Sequence, residues 1–221
     1  MHDKLANATT LRLLTTAERL FAEEGIDAVS IRRISSEAGQ RNNSALQYHF
    51  ETKNALIEAI LEYRQGPINA RRMQLLDRIE REGLGRNVHA IVEALVLPFV
   101  ELLHEAPQHS YYVSVVSQLY SQQRLDMLFP PGRERTRSLL RATAMLQTAL
   151  PAQDTGLRLQ LMGYTLHHSV AQWAHERRAA PKSWPAARIR RQAATLVGFL
   201  VGGLEQPAIG ADNWLLLANE H

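Results

Sequence analysis

Residues 41–49 hold Arg41, Asn42, Asn43, Ser44, Gln47, Tyr48 and His49, with only Ala45 and Leu46 suited to a core among them. A solvated surface needs only charge. This run instead supplies planar amides, a guanidinium fork, a hydroxyl, a phenol and an imidazole. Such groups tell base edges apart: Arg suits guanine, Asn and Gln suit adenine, and Ser suits several bases. Gly39 stands just before the run, and the amphipathic stretch "IRRISSEA" (31–38) precedes the glycine. Two short helices joined by a tight glycine turn and braced by an earlier helix have the helix-turn-helix layout. In that layout the second helix of the pair lies in the major groove.

Other chemistries find less support. The chain has no cysteine, which removes disulfides, thiolate zinc sites and cysteine nucleophiles. Of its nine histidines, His168 and His175 share a helix face and His167 adjoins them. A metal site needs ligands converging from several elements, and no HExxH motif occurs, so neither a metal nor a cofactor is expected. "GLGRNV" (83–88) resembles the start of a phosphate loop but lacks a preceding strand and a third glycine. There is no GxSxG elbow and no defensible carboxylate pair, so the expectation is a non-enzyme. The formal net charge is +3, and residues 1–54 carry seven basic and seven acidic side chains. Nucleic-acid binding through that part would rest on placement rather than bulk charge. With neither a signal peptide nor a membrane span in the sequence, a cytoplasmic protein without a membrane partner is expected.

Helical periodicity runs through nearly the whole chain and supplies the elements that would position these groups. Residues 10–24 place Leu13, Ala17, Leu20 and Phe21 on one stripe, with Thr9 or Thr10 as N-cap and Gly25 as the stop. Ser30 caps a second short helix, and a third covers residues 42 or 43 to 48. Thr52 caps a fourth, in which Gly66-Pro67 predicts a kink or break before the pattern resumes to about Arg81. Further helices are predicted at 87–104, 108–122, 133–149, 156–179 and 186–204. "YYVSVVSQLY" (111–120) is the best strand candidate, yet its apolar spacing fits a helix face better. The fold class is therefore all-α, with a helix-turn-helix domain over 1–51 and a larger helical domain over 52–221.

The string "LFAEEGIDAVSIRRISSEAG…LQYHFETKNALI" resembles the N-terminal domain of the TetR family of transcriptional regulators. Leu20-Phe21, Gly25, Ser30, Ile34, Ala38-Gly39, Leu46, Tyr48-His49-Phe50, Lys53 and Leu56 carry the likeness over about residues 10–60. Between Gly39 and Leu46 this chain has one residue more than the family commonly has, which lengthens the turn or extends the start of the recognition helix. The resemblance implies DNA contacts from Ser30, Arg32, Arg41, Asn42, Asn43, Ser44, Gln47, Tyr48, His49 and Lys53. Chemically, Ser30, Tyr48, His49 and Lys53 suit phosphates and set position. Arg41, Asn43, Ser44 and Gln47 suit base edges and would read sequence.

Two further expectations follow for the larger part. Ala194, Gly198 and Gly202 form a small-residue stripe on the last helix. The resemblance implies a homodimer through the last two long helices, with Val170, Ala194, Val197, Gly198, Val201 and Gly202 at the interface and a near-palindromic double-stranded DNA operator. A small, mainly apolar effector would lie among Phe99, Leu103, Tyr112, Val116, Met162, Leu166, His167 and Trp173, with Tyr112 and His167 as polar anchors. The main expectation is thus a repressor released by that effector. The alternative is a helical small-molecule-binding protein without operator specificity, and a helical enzyme is a lesser one.

Overall fold

The computed structural model describes residues 8–39, 50, 52–104, 110–130, 132, 134–151 and 154–207. Among these the chain is helical without strands. Helix α1 spans Ala8–Glu24 and buries Leu13, Leu14, Ala17, Leu20 and Phe21. It begins before Thr9 and Thr10, so neither is its N-cap, and Thr10 is buried in the first turn. Gly25 ends the helix at φ +95, with its N–H bonded to Phe21 O at 3.1 Å. That left-handed geometry is what glycine tolerates without strain. Helix α2 spans Ile31–Glu37. Ser30 caps it, its Oγ accepting from Arg33 N, and Gly39 follows at φ +71.

Thr52 caps α3, Lys53–Arg81, by accepting from Ala55 N. The expected break at Gly66-Pro67 does not occur: α3 continues as one helix across Pro67. Ile68, Asn69, Arg72, Leu76 and Ile79 beyond the proline are buried, so packing on the helices Val88–His104 and Arg137–Ala149 offsets the missing backbone bond, a loss of about 3 kcal/mol or more in an isolated helix. The remaining helices are α4 (Val88–His104), α5 (Tyr111–Ser121), α6 (Leu125–Leu128), α7 (Arg137–Ala149), α8 (Thr155–Ala179) and α9 (Ala186–Glu205). The strand candidate at 111–120 is helical. As α5 it buries Tyr112, Val113, Val115, Val116, Leu119 and Tyr120, an apolar surface wide enough to pack on both sides.

Three pairings organise the body: α5 lies along α8, α9 along α4, and α3 against α4 and α7. Helix α1 packs on α2, on the start of α3 and on α5. The apolar core runs continuously through all of them. The short α6 and the 3-10 turn at Pro181–Ser183 have no counterpart in the periodicity, being too brief to show one, whereas the first turn of the helix expected at 133–149 is a 3-10 turn at Glu134–Thr136.

Candidate functional site

The run expected to read DNA falls outside the described residues: this holds for Arg41, Asn42, Asn43, Ser44, Gln47, Tyr48 and His49. The groups flanking it are described. Ser30 is exposed and caps α2. Arg32 is exposed, whereas its neighbour Arg33 pairs with Glu24 at 3.4 Å and Glu37 at 3.3 Å. Lys53 Nζ donates to Ile26 O at 3.0 Å and Asp27 O at 3.2 Å. It thereby ties the start of α3 to the loop between α1 and α2. An ammonium has three donors, so this bracing leaves one for a phosphate.

The body grips this head at defined points. The Gln118 side chain on α5 donates to Phe21 O at 2.7 Å and accepts from Ile26 N at 2.8 Å. Gln122 donates to Asp27 Oδ2 at 3.0 Å, and the Tyr111 hydroxyl to Glu23 Oε1 at 2.9 Å. Deeper down, Arg64 on α3 holds Glu18 on α1 through two bonds of 2.7 and 3.1 Å. That pair is buried.

On its other side α5 borders a cavity of about 480 Å³, within the range of about 300–1,000 Å³ usual for small-molecule sites. Of the expected wall residues, Phe99, Tyr112, Val116, Met162, Leu166 and His167 line it together. Leu103 and Trp173 do not. Leu103 is fully buried one turn beyond Phe99, and Trp173 packs on the core further along α8 than the cavity reaches. The sequence reading missed the wall formed by α6, α7 and the segment between them, with Leu128, Phe129, Leu139, Leu140 and Thr143. The spacing of Leu139, Leu140 and Thr143 on one face was a signal, but it is the same signal that a plain core helix gives. Leu140 is 60% exposed and Gln160 is also exposed, so the mouth opens between α7 and α8.

The cavity's polar groups are few. Burial pushes the Tyr112 and Tyr120 hydroxyls well above the ordinary phenol range. His167 Nδ1 donates to Gly163 O at 2.8 Å, and its ring stacks on Tyr120 at 4.5 Å and meets Phe99 edge-on at 4.8 Å. Burial lowers its pKa to about 4, so it is neutral at pH 7. Arg135 ion-pairs with Glu58 at 3.0 Å and Glu62 at 3.5 Å. Among the described residues Arg72 has only Ser138 Oγ at 3.2 Å and the Phe99 ring at 5.6 Å. Burial lowers its pKa to about 10, which leaves it charged at pH 7.

The outer surface of α8 and α9 is of a different kind. Leu157, Leu161 and Phe199 are 57%, 55% and 68% exposed. Ala194, Gly198 and Gly202 are exposed and Val201 is half-buried, whereas Val170 and Val197 are buried within this chain's own core. A Cβ added at Gly198, Gly202 or Gly203 would meet nothing within 4 Å. Among the described residues, Gly198 and Gly202 of the small-residue stripe therefore have no close neighbour. Of the histidines on α8, His168 approaches Ser121 Oγ at 2.9 Å and His175 is exposed. Among the described residues no three His, Asp or Glu side chains group as metal ligands, and no helix is long and apolar enough to cross a membrane.

A family model described as bacterial regulatory proteins, tetR family, matches residues 13–60. A second, described as a tetracyclin repressor-like C-terminal domain, matches residues 93–203. No curated protein matches the sequence. Among solved structures, the fatty acid degradation regulator FadR from Bacillus halodurans is similar with TM-score 0.56 and 16% identity, over 91% of this chain and 98% of that one. PfmR from Thermus thermophilus, described as a TetR family transcriptional regulator, gives 0.54 and 18% over 90% and 97%. FadR from Bacillus subtilis in complex with stearoyl-CoA gives 0.51 and 14% over 88% and 99%. Likeness at these identities establishes the shared fold.

Proposed function

The chain belongs to the tetR family of bacterial regulatory proteins, and from that premise we propose that it is a repressor that a small ligand removes from its operator. In this reading Ser30, Arg32, Tyr48, His49 and Lys53 hold phosphates, and Arg41, Asn42, Asn43, Ser44 and Gln47 face the bases. One recognition helix gives little contact, so two chains pair through α8 and α9 and read a near-palindrome. The exposed Leu157, Leu161, Phe199 and the stripe at Ala194, Gly198 and Gly202 support that pairing.

One observation carries the proposal. Helix α5 holds the head with Gln118 on one side and borders the cavity with Tyr112 and Val116 on another. Helix α3 does the same: its start braces the head through Lys53, and Gln65, Ile68 and Arg72 line the cavity. A ligand that prefers one spacing of these helices shifts the distance between the two heads, whereas one that binds both spacings equally shifts nothing. The cavity's largely apolar walls favour a mainly apolar molecule. The solved neighbour that carries stearoyl-CoA is in keeping with such a ligand.

The test is selection of bound duplex from a random pool, followed by a salt titration on the selected and on random DNA. The proposal expects a two-fold sequence with half-sites about one helical turn or a multiple apart. Equal, purely salt-dependent binding to all sequences would favour the alternative, a helical small-molecule binder without operator specificity.

A further inference from the structure

The cavity contains one charge that no carboxylate among the described residues answers. Arg72 is 4% exposed, and its Nε, like that of Arg135, has no hydrogen-bond partner among the described residues. No carboxylate among the described residues stabilises its charge; its surroundings are Ser138, Phe99 and the neutral phenols Tyr112 and Tyr120. The other buried guanidiniums are treated differently. Arg64 is held by Glu18, and Arg135 by Glu58 and Glu62. Burying a charge without a counter-ion is costly, and a well-packed apolar side chain of similar volume in its place is often neutral or stabilising. A buried charge perturbed by desolvation and set in the wall of a cleft is a candidate for a binding role.

We propose that Arg72 anchors an anionic head on the effector, which makes the effector an amphiphilic acid. Its carboxylate or phosphate meets the guanidinium fork, and its apolar body lies among Leu95, Phe99, Val116, Met162 and Leu166. The geometry suits this. Arg72 lines the cavity and is buried, whereas Leu140 and Gln160 on the same lining are exposed, so the head enters first and the tail points outward. A planar fork also binds a carboxylate through two parallel bonds, which fixes orientation as well as charge. His167 and the two tyrosines carry no charge at neutral pH, and Arg135 is already paired, so the anion has one destination. The inference rests on the reading of the cavity as the effector site.

The test is calorimetric titration of the full chain, without DNA, with decanoate, decyl phosphate, decanol, decanoyl-CoA, phenylbutyrate and phenylbutanol. At least one acid is expected to bind about tenfold or more tightly than the alcohol of the same skeleton, as a charge-assisted hydrogen bond gives. The preference between decanoate and decyl phosphate identifies the head group. Arg72→Met should reduce the acid to the alcohol's affinity and leave the alcohol unchanged, and without ligand it should melt no lower than the wild type. Equal binding of acid and alcohol by the wild type, no binding of any acid, or an acid preference that survives Arg72→Met would each overturn the proposal. So would decanoyl-CoA binding as tightly as the acids and indifferent to Arg72→Met, because its chain end carries no charge. Should Arg72→Met fail to fold, the comparison of acid with alcohol on the wild type decides alone. Operator release is scored separately. An acid bound through Arg72 that leaves DNA affinity untouched sinks the regulatory reading and keeps this site. Release by neutral compounds alone does the reverse.

Discussion

Replacing Gln118 with alanine removes the clamp between cavity and head without touching either binding surface. Two side-chain bonds are lost, to Phe21 O at 2.7 Å and from Ile26 N at 2.8 Å. Each such bond contributes about 0.5–1.5 kcal/mol net. Phe21 O keeps its bond from Gly25 N, but Ile26 is fully buried, and for that bond the orphaned N–H raises the cost to about 1–3 kcal/mol in place of the net value. The combined loss is about 2–4 kcal/mol. For a chain of this length that lowers the melting temperature by about 2–4 °C per kcal/mol, hence by roughly 5–15 °C. The functional signature is separate. Ligand affinity should be unchanged, because Gln118 does not line the cavity. The ratio of operator affinities without and with ligand, typically about 5–150-fold for a coupled pair of sites, should shrink towards unity. The assay is a fluorescence-anisotropy titration of operator at fixed salt, with and without saturating ligand. A variant that melts lower yet keeps the full ratio would show that α5 stabilises the head without signalling to it.

Lys53→Ala should weaken binding to all sequences and reduce the slope of log affinity against log salt by about 1; a fall in melting temperature with an unchanged slope would restrict Lys53 to bracing Ile26 and Asp27. Gln47→Ala should instead lose about 1–3 kcal/mol of discrimination at one or two base pairs, read from a repeated selection. Gly198→Leu should split a dimer of 24.9 kDa chains in sedimentation, and a wild type already monomeric at micromolar concentration would end the pairing model. His167 has a folded-state pKa lowered to about 4 from an ordinary value near 6.5. Its depressed pKa means the unfolded chain binds the extra proton first, so stability present above pH ~6.5 is lost as pH falls towards ~4, at up to about 1.4 kcal/mol per unit. Chemical denaturation of wild type and His167→Gln across that window should show the slope in the first and its reduction in the second.

The helices were legible because their apolar faces repeat. Leu13, Ala17, Leu20 and Phe21 on α1, or Leu56, Ile57, Ile60 and Leu61 on α3, could face a core only as helices. Stops at Gly25 and caps at Ser30 and Thr52 were legible for a local reason: each satisfies backbone groups within a few residues. The continuity of α3 across Pro67 was not, since it depends on Ile68, Asn69 and Arg72 finding neighbours far along the chain. The same limit applies to the cavity. Phe99, Tyr112, Val116, Met162, Leu166 and His167 were identifiable as inward residues, but an inward residue that lines space looks no different in sequence from one that lines core. Arg72 is not distinguished in sequence because one arginine among many in a helix reads as a solvated charge; what sets it apart is that no carboxylate among the described residues pairs with it. On α9 the small-residue stripe was legible, whereas the exposed Phe199 beside it was not. The fate of Val170 and Val197 was settled by which side of their helices the rest of this chain covers.

The central claim is that filling the cavity changes the grip on DNA. It is tested most directly by measuring operator affinity against the concentration of a compound that raises the melting temperature of the free protein, on one selected operator at one salt concentration. The account predicts that affinity falls as the cavity fills, with the midpoint tracking the ligand's own dissociation constant, and that Gln118→Ala flattens the curve. A compound that raises the melting temperature, occupies the cavity and leaves operator affinity constant across its binding range would contradict it.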